Sequence, residues 1–512
     1  MTMTQGTEGI HSVMSDQKMG VEKIDRSRID DEVAKYASDK AIHIDEKTEK
    51  RLKRLIDRRV LTIMIFTYFL QALDKGTMSF ASIMGIREDT GLKGQQYSWL
   101  TTCIYLAVLT VEYPTNWVIQ RVPIAKYLGI NIILWGSILA CHAAAKNFQG
   151  LVALRTLLGA FEACCQPIFI MLSSMWYRRE EQAATVAYWY MMNGGQQIVG
   201  GLLAYAFTHI PETAAIHSWQ ALFIAYGCGS VLWGIFVLCY MPDSPMRAKC
   251  FSEEDKKLMV ERVRQNQTGL QNKVFRKEQV YEAFQDPQTW CFALIQLFTT
   301  LPTSGLGAFA NIIIVSFNFS KLETQLLAMV LGFFIIFTLL TSTWLAKKTN
   351  QNIYVMIGFV IPSIIGTIVL LIVQNDGKLV TRVGLLISYY ICLSFWACAT
   401  LGLSLVSRNV AGQTKKSVVI ATNFVAWAVG NSIGPQVFLA WDAPRYRIAF
   451  TTHMCCYIAL ILNLVFLRWH YTRQNRLKAE KLAAGLAVKD EKLTHSFDDL
   501  TDRENVNFTY CY

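Results

Sequence analysis

The chain has 512 residues, of which 53% are hydrophobic and only 17% are charged, and its formal net charge is +11. A soluble protein of this size carries about 25% charged residues, so the composition argues against a soluble enzyme. The basic residues lie in several short polar segments between apolar runs, a distribution that also argues against a nucleic-acid-binding protein.

The apolar residues form twelve runs of about 20 residues, the length that matches the hydrocarbon thickness of a bilayer. The sequence therefore predicts an all-α membrane protein with twelve transmembrane helices. The predicted spans cover residues 60–83, 99–119, 127–146, 150–175, 184–208, 218–240, 290–316, 325–346, 353–374, 382–405, 418–440 and 447–469.

In the first predicted span, Asp74 and Lys75 stand side by side in an apolar run. Neighbouring helical residues point about 100° apart, so these two side chains do not face each other. One interpretation is an interfacial charge pair at the outer end of the span. The other is a titratable Asp74 and a substrate-facing Lys75 that line a cavity.

The second span contains Glu112, followed by Pro114. Glu112 is interpreted either as a coupling carboxylate or as one partner of a structural ion pair. In the second case we expect its partner to be a nearby base, Arg121 or Lys126.

The fourth span carries the most informative pair, Arg155 and Glu162. A charge at membrane depth persists where it faces the protein interior or a water-filled cavity, so it marks a functional site. Seven residues make nearly two helical turns, which places both side chains on one face about 10 Å apart. A cation for an anionic substrate and a carboxylate that binds a proton would then share that face.

Several neutral side chains are further candidates for ligand contact. In the fifth span, the amides of Asn193 and Gln196 offer both donors and acceptors, and a structural role for them stays open. The spans of the second half contain no acid, so we expect proton coupling to reside in the first half. Weaker candidates there are polar or aromatic: Ser304, Asn311, Trp396, Asn423 and Trp427.

The distribution of basic residues predicts the orientation and the domains. They cluster before the first span, between spans six and seven, and in pairs after spans four, eight and ten. Positive-inside asymmetry therefore places both termini in the cytoplasm.

Two six-helix groups joined by a long linker are the layout of the major facilitator fold, with its site between the halves. The predicted domains are an N-terminal tail (1–58), a first bundle (59–241), a cytoplasmic linker (242–289), a second bundle (290–469) and a C-terminal tail (470–512).

Sequence motifs across the membrane core resemble the fungal allantoate permease-like transporters, which belong to the anion:cation symporter family of the major facilitator superfamily. The matching stretches are residues 73–75 (LDK), 112–114 (EYP), 120–127 (QRVPIAKY), 155–163 (RTLLGAFEA), 174–179 (SMWYRR), 242–245 (PDSP), 409–416 (NVAGQTKK) and 430–436 (GNSIGPQ).

The resemblance implies a proton-coupled importer of carboxylates such as allantoate, ureidosuccinate, nicotinate or pantothenate. It also implies that Arg155 binds substrate, that Glu162 couples the proton, and that Tyr105 and an amide of the fifth span contact the substrate. One departure concerns the loop after the second span. There the superfamily's usual acid is missing, which leaves Glu112 and Arg121 as possible gating groups.

We therefore expect a plasma-membrane transporter that works as a monomer. It is expected to import a small organic anion with protons and to need no metal or cofactor other than the coupling proton. The alternative within the same fold is an exporter of a secondary metabolite or toxin that runs by proton antiport. A binding-only nutrient receptor and a membrane enzyme are less consistent with the short tails and with the absence of a catalytic constellation.

Overall fold

The computed structural model describes residues 44–119, 121–211, 213–248, 250–264, 276–484, 500–505 and 508–512. Every regular element within these ranges is a helix, which confirms the all-α fold. Most of the predicted N-terminal tail and parts of the linker and the C-terminal tail lie outside the described residues.

Helices occupy all twelve predicted spans and are labelled α1–α12 in chain order. Their bounds are α1 Thr62–Met84, α2 Gln96–Ile119, α3 Ile124–Cys141, α4 Phe148–Trp176, α5 179–208, α6 Ser218–Tyr240, α7 Pro287–Ser316, α8 Lys321–Thr349, α9 Asn352–Ile372, α10 Leu379–Asn409, α11 Gln413–Ile433 and α12 Arg447–Ala483. Helices α4, α5 and α10 are each interrupted once, near residues 163, 191 and 393.

Nine of these helices, among the residues that the structure describes, are long and apolar enough to cross a membrane. The other three, α1, α2 and α5, are more polar, and α1 contains Asp74 and Lys75. Each of the three packs against a helix of the other half. Their polar side chains therefore face protein, where they have possible partners, rather than lipid alone.

The halves α1–α6 and α7–α12 meet along three helix pairs: α1 with α7, α2 with α11, and α5 with α8. Glycine permits the approach of α5 to α8, since a Cβ on Gly332 would lie 2.7 Å from the carbonyl oxygen of Gly194. Small residues at helix contacts let the backbones come this close.

Three short helices mark one end of the bundle, which we call the linker side: Glu46–Ile56, Glu253–Arg264 and Lys277–Gln285. Ser252 caps the second of these, since its Oγ accepts a hydrogen bond of 3.1 Å from the Asp255 N–H. Helix α7 starts just before the predicted position 290, because Asp286 caps it and Pro287 occupies its first turn.

On the opposite end, the far side, hydrogen bonds join the halves. The Tyr97 hydroxyl donates to the carbonyl of Ala308 at 2.8 Å, and the Thr102 hydroxyl donates to the carbonyl of Ser432 at 2.8 Å. The Gln436 amide donates to the Thr102 hydroxyl at 2.9 Å. These contacts close the space between the halves from the far side.

On the linker side of the first half, Glu181 at the start of α5 is held by two cations. Nη2 of Arg262 lies 2.6 Å from both carboxylate oxygens, and Nζ of Lys53 lies 3.2 Å from one of them. Arg262 is fully buried and belongs to the helix that follows α6, while Lys53 belongs to the helix that precedes α1. We call this network the Glu181 anchor.

The second half repeats this arrangement with the signs of charge exchanged. Lys415, fully buried at the start of α11, has its Nζ 2.8 Å from Asp502, 2.7 Å from Asp286 and 2.9 Å from Glu282. Glu282 and Asp286 precede α7, and Asp502 follows α12. This Lys415 anchor therefore joins segments equivalent to those of the Glu181 anchor.

Replacing Lys415 with Met preserves most of the side-chain volume but removes the cation that the three carboxylates share, and leaves only the 3.9 Å contact of Arg503 with Asp286. Removing one partner of a buried ion pair costs about 3–5 kcal/mol, so we expect a clear fall in the apparent melting temperature of the purified protein. Adding Asp502→Asn to this variant removes one of the three negative charges and should recover part of the lost melting temperature.

Lys378→Met is the matched control for that experiment. Lys378 is 80% exposed and forms a 3.4 Å surface pair with Asp376. Exposed pairs contribute little to stability, so this variant should melt with the parent. Equal melting temperatures for the Lys415 and Lys378 variants would contradict the stabilising role of the Lys415 anchor.

Candidate functional site

Four charged side chains from two helices of the first half form one cluster. Asp74 and Lys75 lie near the middle of α1, and Arg155 and Glu162 lie on the first segment of α4. Asp74, Arg155 and Glu162 are each at most 2% exposed, and all four groups interact electrostatically. The cluster contains two acids and two bases, so its formal charge sums to zero.

Lys75 and Glu162 form the ion pair at the centre of the cluster, with Nζ 2.9 Å from Oε1. The Lys75 side chain is 31% exposed, whereas that of Glu162 is 2% exposed. The 2.9 Å contact is within hydrogen-bond distance, so a charge-assisted hydrogen bond from Lys75 holds the carboxylate. Lys75 is the most exposed group of the cluster.

Arg155 lies deeper, about 10 Å from Glu162 along α4 toward the far side. Its Nε and Nη2 are buried without a hydrogen-bond acceptor, and both carboxylate oxygens of Asp74 are buried without a donor. Asp74 is the acid that acts most strongly on Arg155, and the guanidinium carbon lies 5.7 Å from the centre of the Phe223 ring. Buried polar atoms without partners are rare in folded proteins, so these groups are candidates for ligand binding.

A small cavity lies beside the ion pair, lined from the first half by Gln71, Glu112 and Gln166 together with Lys75 and Glu162. Its volume is about 20 Å³, enough for one water molecule and not for an organic anion. A larger ligand therefore requires the walls, or the ion pair itself, to move apart.

The second half closes this cavity with aromatic rings. Phe424 and Trp427 of α11 line it, with their ring centres 5.5 Å apart. Tyr105 of α2 meets Trp427 edge to face at 5.6 Å, which places this predicted substrate contact at the boundary between the halves. The Asn423 Oδ1, one residue before Phe424, is buried without a donor.

The two predicted amides of α5 have different surroundings. The Gln196 Oε1 is buried without a donor and lies directly over α1, since a Cβ on Gly76 would come within 2.6 Å of it. Gln196 thus lies beside Lys75. Asn193 instead donates to the Tyr68 hydroxyl at 3.1 Å and to the Tyr190 carbonyl at 2.9 Å.

Asn311 lies away from the charge cluster, in the far-side half of α7. It is buried, and its backbone N–H is 3.5 Å from the Ser79 hydroxyl of α1. Ser304 also contributes to packing, because its hydroxyl donates to the carbonyl of Asn431 at 2.8 Å.

The expected ion pair between Glu112 and Arg121 or Lys126 is wrong. Glu112 accepts a long hydrogen bond of 3.4 Å from Asn116 and lines the cavity. The Arg121 guanidinium packs 3.6 Å from the centre of the Trp117 ring, and Lys126 forms no salt bridge within the described part of the chain. Glu112 lines the cavity from α2, whereas Arg121 lies in the turn beyond the end of α2 at Ile119 and packs on the exposed Trp117.

Sequence reasoning missed five lining residues: the polar Gln71 and Gln166, the aromatic Phe424, and the apolar Val108 and Ala163. The two glutamines could have been predicted from their spacing, because Gln166 follows Glu162 by one helical turn and Gln71 precedes Asp74 by almost one turn. Polar residues at that spacing share a helix face with the charge. Phe424 could not have been singled out in this way, because its span is rich in aromatic residues.

Comparison with known proteins gives three kinds of similarity. The family model described as Major Facilitator Superfamily matches residues 64–435. A thiamine pathway transporter of Saccharomyces cerevisiae is 34% identical over 466 residues, covering 90% of this chain and 86% of that protein. Allantoate permease of the same yeast is 32% identical over 492 residues, covering 94% of this chain and 90% of that permease.

An uncharacterised transporter of Schizosaccharomyces pombe is 34% identical over 471 residues, covering 91% of this chain and 88% of that protein. Among solved structures, an inward-facing bacterial homologue of the human lysosomal transporter Spinster superposes with a TM-score of 0.61 at 14% identity. The superposition covers 80% of this chain and 95% of that structure. A D-xylose–proton symporter superposes with a TM-score of 0.60 at 11% identity, covering 80% of this chain and 96% of that structure. These two structures support the fold alone.

The position of the charge cluster depends on close packing of α4 against α2 at Gly159, between Arg155 and Glu162. A Cβ there would lie 2.6 Å from the carbonyl oxygen of Ile104, so Gly159→Ala must push the helices apart. Overpacking of this kind costs about 1–3 kcal/mol, and the melting temperature should fall.

Gly229→Ala on α6 is the control, because no atom lies within 4 Å of its added Cβ. That variant should melt with the parent or slightly above it. A Gly159→Ala protein as stable as the Gly229→Ala protein would contradict the close contact between α2 and α4.

Proposed function

The chain belongs to the Major Facilitator Superfamily, among the fungal transporters that include allantoate permease, and from this premise we propose that it imports a small organic anion together with protons. Its relatives are transporters rather than enzymes, and they support secondary transport of a small organic molecule. The proposed location is the plasma membrane, with the linker side in the cytoplasm and the monomer as the working unit.

The observation that carries this proposal is the Lys75–Glu162 ion pair beside the unpartnered donors of Arg155. Lys75 offers a partly exposed cation, and the planar guanidinium of Arg155 suits a carboxylate that binds through two oxygens. Two cations at one site between the halves fit an anionic substrate. The unpaired amide oxygen of Gln196 would accept a hydrogen bond from the same substrate.

Charge balance supports coupling to protons. The four charges of the cluster sum to zero, so a bound monovalent anion adds one negative charge to a low-dielectric site, where an unbalanced charge is costly. A proton on Glu162 restores neutrality and also releases Lys75 to the substrate. Anion and proton then favour each other's binding, and such coupling is reciprocal.

The number of protons decides which gradient drives the cycle. One proton per monovalent anion moves no net charge, so a pH gradient alone would drive uptake, at about 1.4 kcal/mol, or tenfold accumulation, per pH unit. A second proton, carried by Asp74, would make uptake sensitive to membrane potential, at about 2.3 kcal/mol per 100 mV.

The far-side hydrogen bonds between the halves indicate a state that is not open to the outside of the cell in the proposed orientation. The far side is closed, Lys75 is paired with Glu162, and the cavity has no room for an organic anion. Return to the outward-facing state would break the far-side hydrogen bonds and expose Arg155 to the next substrate.

The substrate is found by labelled uptake from a panel of allantoate, ureidosuccinate, nicotinate and pantothenate in cells that express the protein. Uptake of the accepted anion should rise as external pH falls and should collapse with an uncoupler. An exporter working by proton antiport would show the opposite, with uptake inhibited by external acid.

Glu162→Gln imitates the permanently protonated carboxyl group. In proteoliposomes this variant should exchange labelled for unlabelled substrate but should not concentrate it under a pH gradient, because no proton leaves the site. Glu278→Gln, the same change on the exposed linker helix, should behave as the parent. If the Glu162 variant accumulates substrate as well as the parent does, the coupling site is elsewhere and Asp74 is tested next.

Arg155→Lys keeps the charge and removes the planar fork. The lost charge-assisted hydrogen bond corresponds to about 1.5–3 kcal/mol, so kcat/KM should fall by roughly tenfold to a hundredfold at unchanged surface abundance. Arg476→Lys, near the end of α12 where the side chain is 71% exposed, is the matched control and should retain uptake. Normal kcat/KM in the Arg155 variant would rule out binding of the carboxylate through two oxygens.

A further inference from the structure

A deep groove opens on the lateral surface of the second half, between α8, α9 and α10. Its volume is about 750 Å³, and its lining is almost wholly apolar, with Phe334, Phe337, Phe359, Pro362 and Ile391 among its walls. The groove lies outside the charge cluster and belongs to the surface that faces hydrocarbon. Water is a poor occupant of so large an apolar space.

The groove has the depth of one membrane leaflet. It begins at Thr349 and Gln351, in the connection between α8 and α9 on the linker side, and reaches Pro362. Ten helical residues separate Pro362 from the start of α9, a rise of about 15 Å. Half of a hydrocarbon core about 30 Å thick has the same depth. An acyl chain entering from the linker-side leaflet therefore fits its length.

A gap in the side-chain packing creates the groove. Gly358 lies in its wall, and a Cβ added there would meet no atom within 4 Å. Phe337 and Tyr354 on either side are 66% and 56% exposed, so the space opens laterally and not toward the interior of the bundle.

Two basic side chains lie at the linker-side mouth. Arg468 of α12 donates to the Gln351 side chain at 2.8 Å and lies 3.8 Å from the centre of the Tyr354 ring. Lys348 is exposed in the last turn of α8, one residue before Thr349, and its Nζ lies 4.9 Å from the centre of the Trp344 ring. Among the described residues, no carboxylate forms a salt bridge with either of them. Basic groups at this depth attract anionic lipid head groups.

We propose that this groove is a binding site for one anionic glycerophospholipid of the linker-side leaflet. One acyl chain fills the space between α8 and α9 as far as Pro362. The phosphate and the anionic head group lie against Arg468 and Lys348. The assignment depends on the groove and its charges, and it holds whichever substrate the transporter carries.

The test uses the full-length protein in nanodiscs that contain phosphatidylcholine and phosphatidylserine in equal amounts, followed by native mass spectrometry. The parent protein should retain one phosphatidylserine in preference to phosphatidylcholine. Gly358→Leu fills the groove and should abolish retention. The variant Lys348→Gln should weaken retention of phosphatidylserine by about fivefold.

Two control variants match these changes elsewhere. Gly384→Leu adds the same side chain at another glycine whose Cβ would meet no atom within 4 Å, outside the groove. Lys321→Gln removes a lysine at the far-side end of the same helix, α8. Both should retain phosphatidylserine as the parent does.

A second measurement on the parent protein covers the case of a variant that fails to fold. Phosphatidylserine with a photoreactive acyl chain should crosslink to peptides containing residues 334–362. Equal retention of the two phospholipids, retention of a sterol instead, or crosslinks distributed evenly over the lateral surface would each overturn the proposal.

Discussion

A charge buried in a low-dielectric interior needs a partner, and this requirement organises the molecule at three places. At the Glu181 and Lys415 anchors it is fully met, because short contacts surround the central charge on several sides. At the cluster around Glu162 it is met only in part, since Arg155 and Asp74 keep unpartnered polar atoms. The Glu181 and Lys415 anchors stabilise the fold. At the charge cluster around Glu162, a ligand gains the most binding energy, because it can pair with groups that have no partner.

All four charges of the cluster lie on α1 and α4, so a movement of one half against the other leaves their mutual distances nearly unchanged. The second half contributes aromatic rings to the same cavity. In the proposed transport cycle, the second half admits or excludes water and substrate, while the first half keeps its four charged groups together.

Hydropathy and charge placement were sufficient to predict the twelve helices and the four residues of the cluster, because a charge in an apolar run is a strong signal. Which charges pair was not predictable. Arg155 and Glu162 share a face of α4, but the partner of Glu162 is Lys75 from another helix. Pairing depends on the rotation of helices about their axes and on their mutual approach, and neither is encoded in local spacing. The mistaken pairing of Glu112 with Arg121 has the same origin.

The exchanged signs of the two anchors have a consequence for biosynthesis. The first half can be fastened as soon as Arg262 has left the ribosome, well before the second half exists. The second half must wait for Asp502, which follows its last span, so Lys415 lacks one of its three acids until a further 87 residues (502 − 415) have been made. Lys415 would repel the segment that carries Arg262 and attract an acidic one. The exchanged signs therefore disfavour docking of either connecting segment on the wrong half.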